Sequence, residues 1–222
     1  MSTRVAILHT TPVTVEPLKK LVEEKITDCK VHNFVDDTIL PQLIESNGEV
    51  KQVSYRLLQY AAFAEETGAD IILNACSSVG ELVEEMKQKV SIPVIRIDEA
   101  MAEKAIQSGS KIGVTATLFT TLNPTKNLLE QTASKRNKEV EIFENLVDEA
   151  YKRLTAGDQE GHDEVLADAL STFADEVDVV VLAQASMARV VSRLPEHKQD
   201  KFLSSPESGV ERLQETLERV KG

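Results

Sequence analysis

No apolar run in this 222-residue chain approaches the roughly 20 residues that a membrane span requires. Basic residues are in deficit, 25 against 37 acidic ones, for a formal charge of -12. That field repels phosphate backbones and anionic headgroups, which excludes nucleic acid and membrane surfaces as partners. Cysteine is scarce: Cys29 and Cys76 are too few for a disulfide framework, and a reducing compartment leaves both as thiols. The four histidines, His9, His32, His162 and His197, are scattered without ligand spacing, so no metal site is expected. A G-x-S-x-G elbow and a glycine-rich phosphate loop are both missing, which argues against hydrolase and nucleotide chemistry. "IESNGEV" (Ile44 to Val50) holds a turn signal only. The opening "MSTRVAILHTT" runs into a strand pattern instead of a signal peptide, so the expected compartment is the cytoplasm.

What is present is an alternation. Short β-branched runs ("RVAILHT", "CKVHNFV", "ADIILNA", "IPVIRI", "KIGVTAT", "KEVEIFE", "VDVVVLA") are separated by amphipathic stretches such as Val50 to Thr67 and Gln159 to Glu176. Strands alternating with helices predict parallel sheets of βαβ units, with strands apolar on both faces. In "SSPES", Ser205 suits a cap and Pro206 a first helical position, which opens a closing helix through Lys221. The halves also resemble each other. "RVAILHTT" from Arg4 matches "KIGVTATL" from Lys111, and "ADIILNACSS" from Ala69 matches "VDVVVLAQAS" from Val177, with a one-residue slip before the second loop. We therefore expect an α/β fold of two pseudo-symmetric lobes, residues 1–97 with 206–222 and residues 98–205, with a ligand site in the cleft between them.

Ligands of parallel sheets sit at the carboxyl ends of the strands. Four segments reach that edge with small polar residues: His9-Thr10-Thr11, Asn74 to Ser78, Thr115 to Thr117 with Thr120-Thr121, and Gln184-Ala185-Ser186. Backbone N–H groups and hydroxyls there suit an anion, and a carboxylate is the natural guest. The threonines serve equally as helix caps, and His9 reads as a satisfied edge residue. Cys76 precedes Ser77-Ser78 and a helix expected from about Val79, a position that lowers a thiol pKa from about 8.5 toward roughly 3.5 to 7.5. Cys29, inside a strand pattern, reads as a small buried hydrophobe.

Taken together and in order, "ILHTTPVT", "LNACSSVGE", "IGVTATLFTTLNPT" and "VVLAQASM" resemble the aspartate/glutamate/hydantoin racemase superfamily over nearly the whole chain. The resemblance implies two α/β lobes of flavodoxin or Rossmann type and no metal or pyridoxal cofactor. It also implies a small carboxylate or hydantoin-like substrate, held by Thr11, Asn74, Ser77, Thr117, Thr120, Thr121 and Ser186. In these racemases one cysteine from each lobe flanks the substrate α-carbon. Cys76 matches the first, and Ala185 stands at the second. A homodimer is the default assembly.

Alanine neither takes nor gives a proton, and racemisation by two opposed bases needs a group on each face. Several alternatives stay open for such a chain: an engineered alanine, service of the second face by Ser186 or water, or single-thiol chemistry. Single-thiol relatives in fold are the arylmalonate decarboxylases and maleate cis-trans isomerases. A binding module for a small anion is the competing class.

Overall fold

The computed structural model describes residues 2–221. The first half runs β1 (Thr3–His9), α1 (Val15–Lys25), β2 (Cys29–Val35), α2 (Ile39–Glu45), α3 (Lys51–Glu66), β3 (Ile71–Asn74), α4 (Val83–Lys89) and β4 (Val94–Arg96). The second runs α5 (Glu99–Ser108), β5 (Lys111–Ala116), α6 (Phe119–Lys135), β6 (Glu141–Leu146), α7 (Asp148–Thr155), α8 (Gln159–Phe173), β7 (Val179–Leu182), α9 (Glu196–Gln199) and β8 (Phe202–Ser204). The closing helix is α10 (Ser205–Lys221). Contacts divide the chain into a unit that runs up to Glu99 and resumes at Pro206, and a unit Ala100–Ser205.

Each unit holds a four-stranded parallel sheet, in the orders β2-β1-β3-β4 and β6-β5-β7-β8. The orders match because the same βαβ pattern occurs twice. Strand β8, a three-residue edge in "KFLSS", carries too short an apolar signal to be expected from the sequence.

In the first unit, alternate residues of the central strands feed two cores. Ala6, Leu8 and Ile72 pack with Val53, Leu57 and Ala61 of α3 and Met86 of α4. Val5, Ile7, Ile71 and Leu73 face the other way, onto Leu18 and Val22 of α1 and Val210, Leu213 and Leu217 of α10. This two-residue alternation explains why the central strands read as unbroken apolar runs. The second unit repeats the arrangement. Ile112, Val114 and Val181 pack with α5 and α6, whereas Val180 and Leu182 pack with Leu166, Leu170 and Phe173 of α8. Strands β2 and β6 depart from the expectation of burial on both faces, because they are sheet edges and stay half-exposed along most of their length.

At the turn read from "SNG", Asn47 (φ 54°) and Gly48 (φ 85°) both take the left-handed conformation that those residues tolerate. Helix α10 begins at Ser205, with Pro206 in its first turn, where the missing N–H costs nothing. No helix among the described residues is long and apolar enough to cross a membrane.

Candidate functional site

The loops at the carboxyl ends of β1 and β3 form the polar edge of the first unit. Cys76 leaves β3 in an extended conformation (φ -120°, ψ 114°) and heads a 3-10 turn, Ser77–Leu82, that precedes α4. This differs from the expected α-helix from about Val79. Val79 is itself non-helical (φ -118°, ψ 15°), so no aligned α-helical dipole reaches the thiol. The turn is held from below by Arg96, which stacks under Gly80 and forms a two-pronged pair with the fully buried Asp98, Nε to Oδ1 at 2.6 Å and Nη2 to Oδ2 at 3.1 Å. A Cβ at Gly80 would overlap that guanidinium.

The Thr10 hydroxyl donates to Cys76 Sγ at 2.8 Å. The Ser78 backbone and hydroxyl and the Val79 backbone also hydrogen-bond the sulfur. Burial raises the Cys76 thiol above its ordinary range, and these four donors oppose it by favouring the thiolate. The direction is opposite to the lowering expected from a helix N-terminus. Cys29 is a half-buried residue packed against the α1 and α10 core, and burial raises its thiol too.

Asn74 is fully buried, and its Nδ2 donates to the Cys76 carbonyl at 3.1 Å, while its Oδ1 has no hydrogen-bond partner. Asn74 thus fixes the cysteine backbone instead of lying open at the surface. Ser77 is buried beside it. Thr11 caps the 3-10 turn Pro12–Thr14, accepting from the Val13 N–H at 3.4 Å. His9 is a satisfied edge residue: Nδ1 lies 2.9 Å from Thr14 Oγ1 and Nε2 lies 3.0 Å from Asn33 Oδ1. Burial lowers its pKa, which leaves the ring neutral.

The second unit builds its edge from the ends of β5 and β7. Thr117 is buried, and both its N–H (2.6 Å) and its hydroxyl (3.0 Å) donate to Gln184 Oε1. Thr120 and Thr121 are buried in the first turn of α6, and Thr120 Oγ1 has no partner. Ala185 and Ser186 open a 3-10 segment, Ala185–Arg193. Leu118, which precedes α6, is buried.

The internal repeat can now be read from geometry. Ala75 N–H bonds Leu8 O in one unit, and Ala183 N–H bonds Thr115 O in the other. The next residue heads the 3-10 turn in each, Cys76 in one and Gln184 (φ -121°, ψ 131°) in the other. Their carbonyls accept from Val79 and Met187, each three residues on. The residue related to Cys76 is therefore Gln184, with no slip, and Ala185 is related to Ser77. The slip suggested by the sequence came from matching the small residues of "CSS" and "ASM". Thr10 and Thr117 are related in the same way, each donating its hydroxyl to the residue that heads the turn. Neither Thr10 nor Gln184 was singled out among the expected site residues. The available signal was the repeat itself, which aligns "LHTT" with "TATL" and puts a threonine at the same place in both halves.

Behind the second loop, Asp163 of α8 pairs with two arginines and a histidine. Arg189 Nη2 lies 2.7 Å and His162 Nδ1 2.7 Å from its Oδ1, and Arg193 Nη2 lies 3.3 Å from its Oδ2. Burial alone would raise the Asp163 carboxyl, but the hydrogen bonds and charges of Arg189 and His162 outweigh it and hold the group below the usual carboxylate range. Among the described residues, no cluster of three or more His, Cys, Asp or Glu side chains is arranged to hold a metal.

A family model described as Asp/Glu/Hydantoin racemase matches residues 6–213. No curated protein matches the chain in sequence. Among solved structures, a glutamate racemase from Francisella tularensis in complex with D-glutamate is similar at a TM-score of 0.77 and 19% identity, over 99% of this chain and 82% of that one. An aspartate racemase from Picrophilus torridus gives 0.72 and 16%, over 97% and 94%. An allantoin racemase from Klebsiella pneumoniae gives 0.66 and 17%, over 97% and 88%. At such identities these structures speak to the fold, whereas the family model spans nearly the whole chain: the protein belongs to the Asp/Glu/hydantoin racemase family.

Proposed function

We propose that this chain catalyses cofactor-independent proton transfer at the carbon next to a carboxylate of a small amino acid, hydantoin or related acid, with Cys76 as the acid/base. The observation that carries the reading is the set of donors on Cys76 Sγ, from Thr10, Ser78 and Val79, in a chain of the racemase family. Such donors stabilise the thiolate that must form before it can take the α-proton, while burial keeps the protonated state accessible for returning it. The thiolate removes the proton to give a neutral thiol and an enolate-like anion; the thiol trades its proton with solvent, and a solvent-derived proton then passes from sulfur to the same face of the carbon, which regenerates the thiolate. Thr11, Ser77, Thr117, Thr120, Thr121 and Ser186 supply uncharged groups for the substrate oxygens and for the charge that develops on them. Asn74 acts through the Cys76 backbone, which it positions.

Only one of the two repeat-related positions holds a proton-transfer group, because Gln184 stands where Cys76 stands in the first unit. A single thiol that removes and returns the proton on one face retains configuration. The expected activity is therefore α-proton exchange with solvent, and not rapid racemisation. Replacing Cys76 by alanine should lower exchange by at least about a hundredfold, the lower end of what positioned acid/base groups contribute. Exchange at the wild-type rate in that variant, read by NMR in D2O, would remove the mechanism. Thermal stabilisation by small acids without any exchange would favour a binding protein instead.

A further inference from the structure

We propose that Gln184 is a substrate-binding residue that presents its amide N–H pair to a carboxylate oxygen of the substrate. The proposal rests on the reading of this chain as one that acts on small carboxylates.

The orientation of the Gln184 amide follows from Thr117. A backbone N–H can only donate, so the Gln184 atom 2.6 Å from Thr117 N must be the carbonyl oxygen. The Thr117 hydroxyl donates to the same oxygen at 3.0 Å, which occupies its second lone pair. With both acceptor sites of Oε1 engaged, the planar amide is fixed and its NH2 group is directed away from Thr117. Gln184 is only half-buried, so those donors remain within reach of a ligand.

The repeat makes this clamp specific. Thr10 donates to a sulfur that can ionise, whereas Thr117 donates through two groups to an oxygen that cannot. An amide nitrogen is no base toward a C–H bond, so this position offers hydrogen-bond donation where its counterpart in the first unit offers a thiol. At the same sheet edge, Thr120 Oγ1 is buried and without a partner. A buried hydroxyl left unpaired is costly unless something completes it. A carboxylate, which only accepts, is complementary to both groups.

The test is a binding series with malonate and the separate enantiomers of aspartate and glutamate as probes, measured by calorimetry on the whole chain. Gln184→Glu keeps an oxygen for Thr117 but removes the N–H pair and sets a charge against the probe, and Gln184→Met removes the amide altogether. The proposal expects at least one probe to bind the wild type, both variants to bind it at least tenfold more weakly, and the thermal midpoints to stay close to wild type. In the wild type, the Gln184 side-chain 15N resonance should move on titration, a readout that holds even where a variant fails to fold. Undiminished binding by the two variants, an unmoved resonance, or no binding of any probe would overturn it. The underlying function fails separately: α-proton exchange that survives Cys76→Ala removes Cys76 from the mechanism and leaves a Gln184 contact standing.

Discussion

At Cys76 two influences compete for the thiol. Burial raises its pKa, and hydrogen bonds from Thr10, Ser78 and Val79 lower it, with burial the larger. Catalysis by the thiolate should then rise with pH through neutrality, with no plateau there. Replacing Thr10 with valine keeps the shape and removes one donor, so the thiol pKa rises further and the ascending limb of the pH–rate profile moves to higher pH. A hydrogen bond to a charged acceptor contributes about 1.5 to 3 kcal/mol, so the rate at neutral pH should fall about tenfold or more. An unmoved profile in that variant would show that the 2.8 Å contact does not act on the ionised state. Cys76 was legible as a chemical candidate because a cysteine after a buried strand is conspicuous. Its hydrogen-bond donors were less so, since a threonine or a serine in a loop has many ordinary uses. The direction of its pKa differs from the expectation because burial of the thiol outweighs its donors, and because the backbone after Cys76 winds as a 3-10 turn and not as an α-helix.

At the scale of elements, the turn after Cys76 and the 3-10 segment after Gln184 each lie against an ion pair, of a different kind in the two units. Under the Cys76 turn, Arg96 lies between Gly80 and the buried Asp98. Gly80→Ala drives a Cβ into a guanidinium that is not free to leave, because moving it exposes a buried carboxylate to an incomplete partner. We expect a loss of about 2 kcal/mol, seen as a lower thermal midpoint, together with weaker activity. An unchanged midpoint would mean that Arg96 yields easily. Behind the second turn, Asp163 ties α8 to Arg189 and Arg193 of the 3-10 segment. Its folded-state pKa is depressed, so its stabilising contribution is present above the ordinary carboxylate range and is lost as pH falls through the folded value. Asp163→Asn should therefore lower stability near neutral pH by about 2 kcal/mol and flatten the loss on acidification, both visible in thermal melts run between neutral and acid pH. Most elements were readable in advance, since α3 and α8 show clear helical periodicity and the central strands are unbroken apolar runs. The exceptions are strand β8, only three residues long, and the 3-10 turns after Cys76 and Gln184, which no hydrophobic period marks.

At the scale of the molecule, the sequence carries one βαβ plan twice, and the structure returns two sheets of the same order. The duplication was visible because the central strands β1, β3, β5 and β7 preserve their apolar pattern. Its register at the functional loop was not, because small residues align almost equally well one step apart, and only the backbone hydrogen bonds of Ala75 and Ala183 fix Gln184 as the counterpart of Cys76. The family membership of the chain and the glutamine that stands opposite Cys76 in the repeat together motivate the central claim, a racemase-family protein with one proton-transfer group. The most direct test is NMR in D2O with separate enantiomers of aspartate, glutamate, hydantoins and simple 2-substituted acids. The account predicts α-deuteration with retained configuration by the wild type, none by Cys76→Ala, and inversion appearing in Gln184→Cys. Racemisation by the wild type at a rate matching its exchange would contradict it.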